Sequence, residues 1–328
     1  MTTETKMLVE GVRRAIPASR LGVTTLGVSS VEEALTMSNL NWEVKKSDEP
    51  VRSTIITNDG VQDVSFSEKF ITYRHLPDSS PEALGVVGKS YEVIQNSEAF
   101  SFLNYLADDS GAEFASAGSL RGGRQVFVNM KMPSSLTFAD GTDAVDMYLM
   151  VTTSHDGTKA FTACVTPIRL VCTNQIRFAL RQAKSQFTLR HTKTSSGKVA
   201  EAHNALGLVR VYEDAFQNAV NDLIDQEMTK NDFKHFVDTL LPDRFKVDSA
   251  DVTNSVVNAK NDLMNLWEAP TQQIVGGTKW AAYNAVAEYA DWFKPVRTSG
   301  NQEIARAERI VTGQGDAFKN QAYALLTR

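Results

Sequence analysis

The sequence predicts an α+β protein: an antiparallel sheet with helices on one face, followed by an all-α C-terminal subdomain. Three observations carry that expectation. Strand-like apolar runs separated by turn signals such as Asn58-Asp59-Gly60, Pro77 to Pro81 and His155-Asp156-Gly157 fill much of the first 190 residues. From Val199 onward the apolar residues instead recur at helical spacing, among them Ala202, Leu206, Val209, Tyr212, Phe216, Val220 and Leu223. Between these regimes lies the polar stretch His191 to Gly197. The expected division is an N-terminal arm over 1–25, an α+β core over 26–190, a linker over 191–198 and a helical subdomain over 199–328.

Taken in order, the arm is small, polar and weakly periodic. Ser30-Val31-Glu32-Glu33 fits a capping box and opens a short helix carrying Ala34, Leu35 and Leu40. Strands are expected over Ser53 to Thr57, Val64 to Leu76 and Leu84 to Ile94, and Asn96-Ser97-Glu98 is expected to cap a helix bearing Phe100, Leu103 and Leu106. Val126, Val128, Met130 and Met132 alternate with Phe127, Asn129 and Lys131, the period of a half-buried strand. Met147 to Thr153 and Thr158 to Cys172 read as a β-hairpin, with Pro167 marking an edge or a bulge in the returning strand. Thr173 or Asn174 caps a helix from Gln175 to Gln186 with Ile176, Leu180, Ala183 and Phe187 buried. Further amphipathic helices are expected over Val199 to Met228, Asn231 to Leu241, Asp248 to Trp267, Thr278 to Trp292 and Asn301 to Leu326. Their aromatic residues Trp267, Trp280, Tyr283, Tyr289 and Trp292 read first as core and second as interface anchors.

Charge is segregated along the chain. From Gly157 to Ala200 there is no Asp or Glu, while Lys159, Arg169, Arg177, Arg181, Lys184, Arg190, Lys193 and Lys198 fall inside. The chain carries net charge −5, so these eight leave −13 for the remainder. A second acid-free window, Phe114 to Ala139, contains Arg121, Arg124 and Lys131, with Gly122 and Gly123 between the arginines. Cations held without intervening acids make a local field that attracts a phosphate backbone whatever the net charge, and glycines permit close backbone approach. Arg177, Arg181 and Lys184, at i, i+4 and i+7, are expected to form one basic stripe. These eleven cations are the candidate DNA-binding residues. The helical half, with 18 acids against 13 bases from Glu201 on, is expected to serve partner binding or self-association.

Other chemistries find less in the sequence. Cys164 and Cys172 are too few for a disulfide framework or a four-cysteine zinc site and are expected to be reduced strand residues. His155 and a strand cysteine have no nucleophile spacing. There is no G-x-x-x-x-G-K-[ST] or G-x-G-x-x-G to cradle a nucleotide. Asp140, Asp143 and Asp146 read as solvated loop acids rather than metal ligands. Neither cofactor nor metal nor enzymatic activity is expected. No run approaches the roughly 18 to 20 apolar residues of a membrane span, and Met1 to Glu10 lacks a signal-peptide core, so a cytoplasmic protein without membrane contact is expected.

Three sets of residues carry a family resemblance: Leu84-Gly85-Val86-Val87-Gly88 with Tyr91 and Gln95-Asn96; Val165-Thr166-Pro167-Ile168-Arg169-Leu170-Val171-Cys172-Thr173-Asn174; and Gly277-Thr278-Lys279-Trp280 with Tyr283 to Tyr289. From Asn39 to Leu326 the chain resembles the phage/plasmid-like protein family, a group built on a domain of unknown function and carried by bacteriophages and plasmids. The order of helix, antiparallel strands and basic helix is also similar to the core of RecT-, Redβ- and Erf-type single-strand annealing proteins. That resemblance implies single-stranded DNA binding and annealing for recombination in the host bacterial cytoplasm. It also implies a homo-oligomeric ring or filament, and a phage exonuclease or host single-strand-binding protein as partner. The alternative is a non-enzymatic anti-defence or host-takeover protein working through protein contacts.

Overall fold

Turns placed by Gly, Asn and Asp, and apolar residues spaced to match, fold the N-terminal half into antiparallel strands. The computed structural model describes residues 21–76, 79–169, 172–173, 186–188, 195–243 and 253–328. It is α+β, as the sequence predicts. The largest sheet contains β1 (Gly22–Thr24), β7 (Glu113–Leu120), β8 (Gln125–Phe138), β9 (Asp143–Ser154), β10 (Thr162–Arg169) and β11 (Cys172–Thr173) in that spatial order, with β12 (Gln186–Thr188) also on β10. A second sheet joins β2 (Glu43–Lys46), β5 (Lys69–His75) and β6 (Glu82–Gly88), and β3 (Val51–Thr57) pairs with β4 (Gly60–Phe66) as a separate ribbon. All the pairings are antiparallel.

Several local expectations hold in altered form. Ser30 caps α1 (Val31–Met37) by accepting from the Glu33 amide, but the Glu33 carboxylate reaches back to the Ser29 amide at 2.8 Å instead of to Ser30. The run from Val64 to Leu76 is broken by a turn at Ser67 and Glu68, and the strand starting near Leu84 stops at Gly88. Two short helices follow, α2 (Asn96–Phe100) and α3 (Phe102–Ser110), and Asn96 is not their cap. Its buried side chain donates instead to Leu40 O at 2.8 Å. Pro167 pairs with Met147 on its inner side. On its outer side β12 covers 162–164 and β11 covers 168–169, so the missing N–H falls between two short partners, at an edge position among the described residues.

The first half of β8 is not half-buried, whereas from Pro133 to Thr137 exposed and partly buried residues alternate. Val126, Phe127, Val128, Asn129 and Met130 are all inaccessible. Val126, Val128 and Met130 belong to the main core, whereas Phe127 packs with Leu120, Met150 and Leu21 on the opposite face. A period-two pattern with Phe127 in the supposedly wet position is a strand covered on both sides.

The helical half starts earlier than expected. α4 runs Ser195–Ile224, so 195–198 are its first turn and not linker. Then come α5 (Lys230–Leu240), α6 (Asn254–Trp267), α7 (Pro270–Gln273), α8 (Lys279–Glu288) with a π-helical turn at Tyr289–Phe293, α9 (Gln302–Val311) and α10 (Asp316–Leu326). Thr229 opens α5 with a reciprocal capping box to Asp232. Trp267, Trp280, Tyr283 and Tyr289 are buried, so they are core residues. One hydrophobic cluster takes in residues from Val31 to Leu326, and the two halves therefore share a core. Among the described residues no helix is long and apolar enough to cross a membrane.

Candidate nucleic-acid interface

Two neighbouring turns bring basic residues to one end of the large sheet. The β7–β8 turn must reverse the chain within Arg121-Gly122-Gly123-Arg124, and it does so with positive φ at three successive residues, 53° at Arg121, 68° at Gly122 and 89° at Gly123. Gly123 has a further reason to be glycine, because a Cβ there would lie 2.4 Å from the Arg74 guanidinium. Both flanking arginines are exposed. The β9–β10 connection adjoins this turn, since Gln125 pairs with Ser154 and the His155 amide donates to Arg124 O at 2.8 Å. Lys159 is exposed on that connection, its backbone pinned by Ser154 Oγ, which accepts from Lys159 N at 3.1 Å and donates to Lys159 O at 2.8 Å. Arg121, Arg124 and Lys159 thus share one end of the sheet.

Residues distant in sequence stabilise this end. His155 is 1% exposed, and its Nε2 meets Asn96 Oδ1 at 2.8 Å. Because Asn96 Nδ2 is committed to Leu40 O, Oδ1 is the acceptor and the neutral ring carries its proton on Nε2. Thr72 Oγ1 donates to His155 O at 2.6 Å, Tyr91 Oη to Ser154 O at 3.0 Å, and Gly85 packs against the Asp156 backbone where a Cβ would come within 2.6 Å. Arg74, which no sequence signal singled out, donates twice to Glu82, at 2.8 and 2.9 Å, and stacks 5.0 Å from the Trp42 ring. Trp42 in turn meets His155 edge-on at 5.3 Å.

Burial pushes the His155 imidazole down to about 4, with Arg74 adding to the fall and Asp156 opposing it. The folded value lies below the ordinary 6.5, so stability is full above about 6.5 and declines as pH falls from there to about 4. The loss amounts to roughly 3 kcal/mol. Urea midpoints measured from pH 7.5 to 4 should fall more steeply for the native chain than for His155→Gln. Parallel curves would assign the acid sensitivity to other groups.

The other candidate cations are placed differently. Lys131 lies further along β8 and is paired with Asp146 at 3.2 Å. Lys198 is half-buried in the first turn of α4. Arg177, Arg181, Lys184, Arg190 and Lys193 lie outside the described residues, as does the expected helix from Gln175 as far as Ser185; its last residue, Gln186, and Phe187, expected on its buried stripe, are instead strand residues of β12, paired with Cys164 and Ala163 of β10.

Arg169 is a correction. It is 0% exposed, its Nε donating to Asp143 Oδ1 at 2.5 Å and its Nη2 to Thr271 O at 3.0 Å, so it has no surface to offer a phosphate. Asp143 is corrected with it. Far from being a solvated loop acid, it is 0% exposed and also accepts from Trp280 Nε1 at 2.9 Å. Asp143 and Arg169 sit at the far end of the sheet, where β9 and β10 meet α7 and α8. Among the described residues no group of His, Cys, Asp and Glu is arranged to hold a metal ion. Cys164 is buried, its Sγ 3.5 Å from Val165 O.

Together these features define an α+β protein with a basic rim at one end of its main sheet and a buried ionic joint at the other. The chain belongs to the family of unknown function DUF932, which matches residues 83–311. No curated protein and no solved structure matches it. Described members of the three sets of residues behind the family resemblance meet at these two ends. Gly85, Tyr91 and Asn96 pack around the His155 turn, while Arg169 and Trp280 meet at Asp143.

Proposed function

We propose that the protein binds single-stranded DNA and anneals complementary strands in phage or plasmid recombination. The observation that carries this reading is the convergence of Arg121, Arg124 and Lys159, from two acid-free windows, on adjacent turns of one sheet end. Exposed guanidinium and ammonium groups in fixed register bind phosphates without reading bases, and the bases then remain available to a second strand. The resemblance in element order read from the sequence, to RecT-, Redβ- and Erf-type proteins, points the same way; the basic helix in that order falls on residues 174–185, outside the described residues. Pairing itself supplies the free energy of annealing, so the proposal calls for neither cofactor nor hydrolysis.

Self-association into a ring or filament belongs to this proposal, and the β3–β4 ribbon supports it. Ile56 is 87% exposed, Val61 70% and Phe66 57%, on a two-stranded element whose outer edges are unpaired among the described residues.

A salt series with an unstructured oligonucleotide, followed by fluorescence anisotropy and light scattering on the same samples, tests both statements. Affinity should fall with a log–log slope near −2, about 0.7 for each of three phosphate contacts, and the mass should exceed one chain. Salt-independent binding, or none at low salt, would overturn DNA binding. A monomeric mass with and without DNA would overturn assembly.

A further inference from the structure

A cavity of about 650 Å³ lies where the β7–β8 turn meets α9 and the segment leading into it. Its volume is in the range that holds a nucleotide-sized ligand. Three guanidinium-bearing residues line it, Arg121 from the turn, Arg297 from the segment before α9, and Arg309 from α9 itself, against one carboxylate, Glu308. Arg309 Nε is buried and has no hydrogen-bond partner. That N–H is closed off from solvent, so an oxyanion in the cavity would meet Arg309 through the part of its side chain that lines the space, together with Arg121 and Arg297.

The rest of the lining is suited to the remainder of such a ligand. Leu120, Pro295 and Val296 offer apolar surface for the face of a base or sugar. The rim is held in place by Arg306, whose Nη1 donates to Asp291 O at 3.2 Å and to Lys294 O at 3.0 Å, just before Pro295. Lys294 lies just outside the cavity lining with its ammonium over the Phe318 ring, and it is pushed below the usual lysine range mainly by burial, with Arg309 adding to the fall. Three positive charges against one leave a formal surplus that a phosphomonoester, at about −1.5 to −2 near pH 7, would neutralise.

We propose that this cavity is a binding site for a nucleotide 5′-phosphate, supplied either by a free mononucleotide or by the phosphorylated end of a strand. The cavity shares Arg121 with the sheet-end reading, but the proposal is tested apart from it, because Arg297 and Arg309 take no part in holding a strand's internal phosphates there.

Calorimetric titration with adenosine 5′-monophosphate, inorganic phosphate and adenosine tests it, together with anisotropy on one oligonucleotide carrying either a 5′-phosphate or a 5′-hydroxyl. Adenosine monophosphate should bind and adenosine should not. Arg297→Gln, at an exposed position, and Arg309→Gln should each weaken the monophosphate by about tenfold or more while leaving the 5′-hydroxyl oligonucleotide unaffected. A 5′-phosphate preference that disappears in Arg297→Gln identifies the strand end as the source. Equal binding of the two oligonucleotides alongside monophosphate binding identifies the free nucleotide. If neither oligonucleotide binds but the monophosphate does, the sheet-end reading fails and the pocket stands. Absence of monophosphate binding at millimolar concentration, equal binding of adenosine, or an unchanged affinity in Arg297→Gln would overturn the proposal.

Discussion

Asp143→Ala should be the most destabilising of the substitutions considered, by about 3 to 5 kcal/mol. The carboxylate accepts from Arg169 Nε and Trp280 Nε1, and all three side chains are 0% exposed. Its removal strands a buried guanidinium and an indole N–H without their acceptor. For a chain of this size the loss corresponds to a fall in melting temperature on the order of 10 °C. Circular dichroism melts measure it directly. The cost comes from the orphaned partner, so Asp143→Leu combined with Arg169→Met should recover much of the loss. A single variant that melts like the native chain would mean that the joint is not under this constraint. Thr271 and Gln272 extend the network, both bonding to Glu288 Oε2, at 3.0 and 2.9 Å, so damage at Asp143 should reach the seating of α7 on α8.

The largest functional effect is expected from reversing Arg121, Arg124 and Lys159 together to Glu. Loss of three cations removes about 2 from the log–log salt slope, and three added anions repel the backbone, so affinity at about 50 mM salt should drop by about a hundredfold or more. All three side chains are exposed on turns whose conformation is set by backbone hydrogen bonds and glycines. The fold should therefore survive, with a melting temperature within about 2 °C of the native value. Comparing anisotropy with thermal melts separates the two consequences. A folded triple variant that binds with the native salt slope would move the interface to another surface and remove the sheet end from the proposal.

Much of the fold was legible in the sequence because the signals involved are local. The switch from strand runs to helical spacing across the polar stretch His191 to Gly197 is a property of consecutive residues, as is the Ser30 cap. The basic sheet end was half legible. Each acid-free window is visible as composition, but only strand pairing between Gln125 and Ser154 shows that Arg124 and Lys159 occupy the same end.

What tertiary structure alone decided is which charges face water. Charge and acid-free setting alone do not distinguish Arg169 from Arg121, yet Arg169 and Asp143 are buried together with Trp280, a residue 137 positions along the chain from Asp143. His155 likewise reads as a turn residue until Trp42, Thr72 and Asn96 close over it. A charge is buried when a distant partner compensates its desolvation, and that partner is brought there by packing, which residue spacing does not encode.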